Sequence, residues 1–446
     1  MSRDEIRRAS PPQLSDRANA PAHERLTALP VLVMVVATPL AIIFHYVCRY
    51  YYGRMFPWST FLVHPRFHFG DYYLSYSAAK RFGPGRSNNM VYSPLMHLLM
   101  NALTLLRPWM GFTLIVVAFL VVLALVCWKW ITSAAALTAV RLQQVAVLVL
   151  LSYPVLFVID RGNLEMVIFM WLAAFFYLYY GRRSRWAWVP LALAIAGKYY
   201  WVTLLILPLS DRQTRQAVYA LAGAVGATVV SAAGVALTAH ASMGWVFQAT
   251  LRTLGRRSQD YESLFAAQHA HTLWAGIRLA DGVLGYPLFD VPHLSLDYFV
   301  VAAVVFMLIA YEVLSHEMAP WRRVLALVAA TLVLPLESFD YTLLHLLFPL
   351  ALLVCTAPVS RQSRAAVLLI AVCLVPVDYY YFAVWGYRTD GSVSTFIYSG
   401  ALVAMILIAL ITSERKRRPL RSLVVWDAWS PAAPIGVPDP SPETTR

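Results

Sequence analysis

Long apolar runs recur along this chain from Leu29 to Thr412, and that repetition limits its fold more than any single motif does. About 20 consecutive apolar residues, wound as an α-helix, span the ~30 Å hydrocarbon core of a bilayer. With 60% hydrophobic and only 13% charged residues the chain reads as an integral membrane protein. The fold class expected is an all-α polytopic membrane protein. The four cysteines, Cys48, Cys127, Cys355 and Cys373, sit in or at the ends of apolar runs without metal-ligand spacing, so they read as small buried hydrophobes.

Residues 1–29 are polar, charged and proline-containing and read as a disordered cytoplasmic tail. The run from Leu29 to Cys48 is too long for a signal-peptide core and is a retained first span. A long loop over residues 49–93 follows, within which Tyr72 to Arg81 reads as an interfacial helix and Phe82-Gly-Pro-Gly-Arg86 as a chain break. Tyr92-Ser-Pro94 opens a partly inserted helix up to Leu106. Further spans are expected at Gly111–Trp128, Leu142–Ile159, Leu164–Tyr180, Trp186–Ala196, Tyr199–Leu209 and Ala217–Thr238. Others follow at Tyr298–Leu314, Val324–Leu336, Leu343–Ala357, Ala365–Val377 and Ser394–Thr412. That makes about twelve crossings, with a membrane domain over 30–412 and a second cytoplasmic tail over 413–446. The two runs flanking Lys198 are each too short for a bilayer and must tuck against neighbours.

Most of the 36 Lys and Arg fall in the tails and in one alternate set of loops, including Gly181-Arg-Arg-Ser-Arg185, Asp211-Arg212, Arg322-Arg323 and Arg361–Arg364. The positive-inside rule puts these in the cytoplasm and the loop bearing Asp71 outside. The high isoelectric point, about 9.6, reflects this asymmetry, and no nucleic-acid partner is implied.

On the outward side the polar residues collect at helix mouths. They are Phe69-Gly70-Asp71-Tyr72-Tyr73, Asp160-Arg161-Gly162-Asn163-Leu164-Glu165, Lys198-Tyr199-Tyr200, Gln268-His269-Ala270-His271, and Glu337-Ser338-Phe339-Asp340-Tyr341 with His345. Ionisable groups are costly near hydrocarbon and usually face a cavity, so these point to one outward-facing site.

These motifs, in this order and with Tyr92-Ser-Pro-Leu95 and Ala196-Gly-Lys-Tyr-Tyr200 among them, resemble the bacterial glycosyltransferase family 87 proteins over roughly residues 30–412. The resemblance implies a GT-C-like bundle of about twelve transmembrane helices with short amphipathic helices on the outer face. It implies transfer of a hexosyl unit, most readily mannosyl, from a polyprenyl-phosphate sugar. The acceptor would be a hydroxyl of a cell-envelope glycolipid or glycan outside the bacterial cytoplasmic membrane. The long outer loop and the late motif depart from the family's usual N-Q-S turn and W-x-H group, having Ala267-Gln268-His269 and Phe339-Asp340-Tyr341 instead.

In that chemistry one carboxylate takes the acceptor proton, worth about 10²–10⁴-fold. Cations or donors stabilise the departing phosphate, usually the larger contribution. Inversion at carbon would need no second, nucleophilic carboxylate. Asp71 is the expected base. Lys198, Arg161 and His345 are expected at the donor phosphate, and Tyr72, Tyr73, Asn163, Glu165, Gln268, His269, Asp340 and Tyr341 around the substrates. No cofactor and no metal is expected, because His269 and His271 lack an accompanying metal signature. Each residue also has a plainer reading. Asp71 could cap the helix that follows, Arg161 could pair with Asp160 or Glu165, Lys198 could snorkel, and His345 could be a satisfied interior histidine. A secondary transporter or flippase would share the spans and a charged pocket, but would show internal repeats and polar groups near mid-membrane.

Overall fold

The computed structural model describes residues 31–43, 69–84, 92–134, 151–260, 270–284, 294–358, 360–376 and 393–411, with a few isolated positions besides. Both tails, Gln268 and His269 lie outside the described residues. Among the described residues helix predominates and there is no β-strand, only isolated bridges such as Ala270 with Phe339.

The helices in chain order are α1 (Val31–Ile43), α2 (Gly70–Arg81), α3 (Pro94–Leu103), α4 (Pro108–Ala134), α5 (Tyr153–Arg161) and α6 (Glu165–Phe176). A π turn, Tyr177–Gly181, extends α6. Next come α7 (Trp188–Gly197), a 3-10 segment Tyr199–Leu205 running into α8 (Ile206–Ser210), α9 (Thr214–Ala239), α10 (Met243–Asp260) and α11 (Leu273–Leu284). The last are α12 (Leu294–Ser315), α13 (Pro320–Val333), a 3-10 segment Asp340–Leu346 running into α14 (Leu347–Thr356), α15 (Arg361–Cys373) and α16 (Val393–Leu410). Proline opens several of them (Pro94, Pro108, Pro154, Pro320), where its missing N–H costs nothing.

Among the described residues, three helices are long and apolar enough by themselves to cross a membrane: Pro108–Trp128 within α4, Thr214–Ala239 and Leu294–Ser315. They carry bare apolar rows, such as Leu114, Val117, Val121 and Leu125 on α4 and Phe299, Val300, Val304 and Met307 on α12. Rows of that extent belong against lipid. The remaining apolar helices are shorter than a bilayer, and a count of about twelve crossings is not established. The physical reason is interruption. The stretch expected to span Leu142–Ile159 restarts as a helix at Tyr153, the Trp186–Leu209 stretch breaks at Lys198, and the late span begins as 3-10 helix at Asp340.

The short elements form the interior. Most residues of α6 and nearly every residue of α13 are buried, and so are the residues of the 3-10 segment Asp340–Leu346. Polar groups gather at the two ends of this core. At one end lie Glu165 and Lys198. At the other, Arg323 pairs with Asp211, which accepts the Tyr179 hydroxyl at 2.7 Å. Glu165 and Tyr179 are separated along α6 by roughly 20 Å at ~1.5 Å per residue. The loops sorted by sequence onto opposite sides are therefore at opposite ends of the molecule.

Candidate active site

Two motifs distant in sequence interlock to form one half of the site. Phe69 takes a left-handed backbone (φ 58) and donates its N–H to the Asp160 carbonyl at 2.7 Å. Gly162, also left-handed (φ 63), ends α5 and turns the chain beneath it. A Cβ on Gly162 would lie 2.9 Å from Tyr72 Cβ and 3.1 Å from Phe69 Cα, so only glycine lets the two turns touch. Tyr72 is wholly buried here, with its ring 5.4 Å from that of Phe112.

This contact aims Asp71 at the D-R-G-N turn. Arg161 grips it from both guanidinium sides, Nη2 to Oδ1 at 2.5 Å and Nε to Oδ2 at 3.3 Å, and Asn163 Nδ2 donates to Oδ2 at 2.7 Å. Asp71 lies in the first turn of a helix that starts at Gly70 and takes no side-chain cap. The capping role open in the sequence is thus not the one it plays. Asn163 joins this half to the next, because its Oδ1 accepts the Glu165 backbone N–H at 2.9 Å.

The second half centres on Glu165, which is fully buried. Lys198 pairs with its Oε2, and His345 Nε2 lies 2.7 Å from Oε1. Lys198 reaches it because α7 stops one residue earlier, at Gly197, pressed onto α6. A Cβ on Gly197 would meet Ile168 Cδ1 at 2.5 Å and Trp171 at 2.9 Å. The lysine ammonium also stands 5.6 Å from the ring centroids of Tyr200 and Tyr341, within cation–π range. Tyr341 links the halves, for Asp71, Tyr92, Glu337 and Glu165 all bear on it electrostatically.

Exposure separates residues that can meet a substrate from those that hold others in place. Side chains of Arg161 (32% exposed), Asp71 (17%) and Lys198 (17%) reach the surface, as does Tyr73. His345, expected at the phosphate, is completely enclosed behind Glu165, with its ring 4.5 Å from that of Trp201. Its hydrogen bond is to Glu165. Tyr72, Asn163, Glu165 and Asp340, expected around substrates, are likewise interior, and the polar groups of Asn163, Glu165 and Asp340 are bonded within the fold. Sequence reasoning left out Tyr200 and Tyr153, which bond to Glu165 and Asp340, and Tyr92 and Glu337, which bear on Tyr341. Tyr200, Tyr92 and Glu337 stand within the motifs already quoted, which was the available signal.

The model of glycosyltransferase family 87 matches residues 90–336. The chain belongs to glycosyltransferase family 87. No curated protein and no solved structure matches it. The matched stretch of this family 87 chain contains Arg161, Asn163, Glu165 and Lys198, while Asp71 and Asp340 lie on either side of it. It is geometry that brings Asp71 to Arg161. A glycosyltransferase with apolar helices of this kind works on donor and acceptor at a lipid bilayer.

Proposed function

We propose that this membrane glycosyltransferase moves a hexosyl unit, mannosyl in the first instance, from a polyprenyl-phosphate sugar to a hydroxyl of a cell-envelope glycolipid or glycan. The reaction takes place on the outer face of the bacterial cytoplasmic membrane. The observation that carries the reading is the pairing of a partly exposed carboxylate, Asp71, with a partly exposed guanidinium, Arg161, a short way from a second exposed cation, Lys198.

Asp71 accepts the acceptor hydroxyl's hydrogen. Arg161 and Asn163 hold the carboxylate in place, and proton transfer completes as attack on the anomeric carbon acidifies the hydroxyl. The outer edge of Arg161, beyond the two donors spent on Asp71, and the ammonium of Lys198 face the departing phosphate and stabilise its growing charge. Glu165 and His345 hold Lys198 at its post from within. Tyr73 supplies an exposed ring against which a sugar face can stack, and Gln268 and His269 complete the acceptor side. A transfer with inversion needs only the one carboxylate at the acceptor.

The test is purified protein incubated with radiolabelled polyprenyl-phosphate mannose and a cell-envelope lipid extract. Label moving into a glycolipid or glycan is the expected result. Transfer from other polyprenyl-phosphate hexoses alone would correct the sugar. Uptake into sealed vesicles without a new glycosidic bond would favour a transporter.

A further inference from the structure

Asp340 is the most enclosed acid of the late motif, and its surroundings define a structural task. Tyr153 on α5 donates its hydroxyl to Asp340 Oδ2 at 3.1 Å. His271, just before α11, sets Nδ1 3.2 Å from Oδ1 and Nε2 3.3 Å from Thr342 Oγ1. The backbones run together as well, since Ala270 bridges Phe339 and the His271 N–H donates to the Ser338 carbonyl at 3.1 Å. Asp340 and His271 are both interior. From α15, Cys373 is a further titratable group near enough to interact with an ionised Asp340.

Counting hydrogens places one on Asp340. With the Thr342 hydroxyl donating to the Phe339 carbonyl at 2.9 Å or to Ser338 Oγ at 2.8 Å, His271 Nε2 supplies the hydrogen that it shares with Thr342 Oγ1. A neutral imidazole then presents a bare Nδ1, and the hydrogen on that 3.2 Å contact belongs to the carboxyl. The alternative, imidazolium against carboxylate, puts two charges where water does not reach. Burial works against both charges: it pushes the Asp340 carboxyl up to about 8 and the His271 imidazole down to about 3.

We propose that Asp340 works as a neutral carboxylic acid, accepting from Tyr153 and donating to His271 in a clasp that Thr342 completes from the far side of the imidazole and that fixes Tyr341 beside the catalytic centre. It is a positioning residue and not a base. The next residue, Tyr341, carries the ring that faces Lys198 and feels Asp71.

Asparagine reproduces the acid's donor and carbonyl but cannot titrate. With radiolabelled polyprenyl-phosphate mannose as probe, wild-type kcat/KM should fall about tenfold by pH 9 as Asp340 loses its proton. The Asp340→Asn protein should match wild type at pH 7 and lack that alkaline fall. Tyr153→Phe removes a donor that favours the ionised form, so it should move the fall to higher pH. A folded Asp340→Asn protein inactive at every pH, or an alkaline fall unchanged in both variants, overturns the proposal.

Stability gives a readout that needs no substrate. A carboxyl held above its ordinary 3.8 contributes stability that is complete below about pH 4 and lost as pH rises toward 8. Wild-type Tm should therefore decline from pH 5 to pH 8 relative to Asp340→Asn, and parallel curves would contradict the clasp. If the clasp is right but the donor is wrong, Tm still follows this pattern while the mannose probe is inert.

Discussion

Gly162→Ala is a one-methyl test of whether the F-G-D-Y-Y and D-R-G-N turns really interlock. Alanine at φ 63 costs roughly 1–2 kcal/mol in backbone strain. Its Cβ would also sit 2.9 Å from Tyr72 Cβ and 3.1 Å from Phe69 Cα, neither of them the end of a flexible side chain. Tyr72 has no room to retreat, because its hydroxyl already fills the space where a Gly111 side chain would begin. Overpacking of that kind costs about 1–3 kcal/mol, so we expect a total loss of roughly 2–5 kcal/mol. Relief comes by pushing α2 outward, which carries Asp71 off Arg161. A shift near 1 Å can lower turnover by about 100-fold. The assay is chemical denaturation in detergent alongside turnover, with Gly70→Ala as the matched control. Gly70 has nothing within 4 Å of a built Cβ and lies in ordinary helix, so its alanine variant should be as stable and active as wild type. A Gly162→Ala protein with wild-type midpoint and turnover, or equal damage from both variants, would refute the interlock.

Two further outcomes follow from the charges and from topology. Lys198→Ala should weaken donor binding by tenfold or more and Lys198→Arg by less, since a second cation still reaches Glu165; equal donor affinity in wild type and Lys198→Ala would remove Lys198 from the phosphate. A cysteine at Ser59 should react with an impermeant thiol reagent in intact cells, and labelling only after lysis would reverse the orientation.

Much of the site was legible because ionisable residues in an apolar chain are few. Asp71, Arg161, Glu165 and Lys198 stood out by charge alone, and the break at Lys198 followed from two runs too short to span. What the sequence hid was pairing. Arg161 had two nearer acids, Asp160 and Glu165, yet the left-handed turns at Phe69 and Gly162 give it to Asp71, 90 positions away. Lys198 and His345 read as open cations, and only the packing of α7 on α6 turns them toward Glu165. Spans were harder than sites. Periodicity cannot separate a helix buried by neighbours from one facing lipid, so α6 and α13 read as spans like α4, though their faces are covered by protein.

The central claim is that Asp71 takes the acceptor's proton, and Asp71→Asn tests it most directly. Asparagine keeps the shape and the bond to Arg161 but lacks the basicity, and the site is exposed enough for water to screen the unpaired guanidinium. We expect melting temperature and donor binding near wild type, with turnover lower by about 10²–10⁴-fold. An Asp71→Asn protein that transfers sugar at the wild-type rate would contradict the account, whatever its stability.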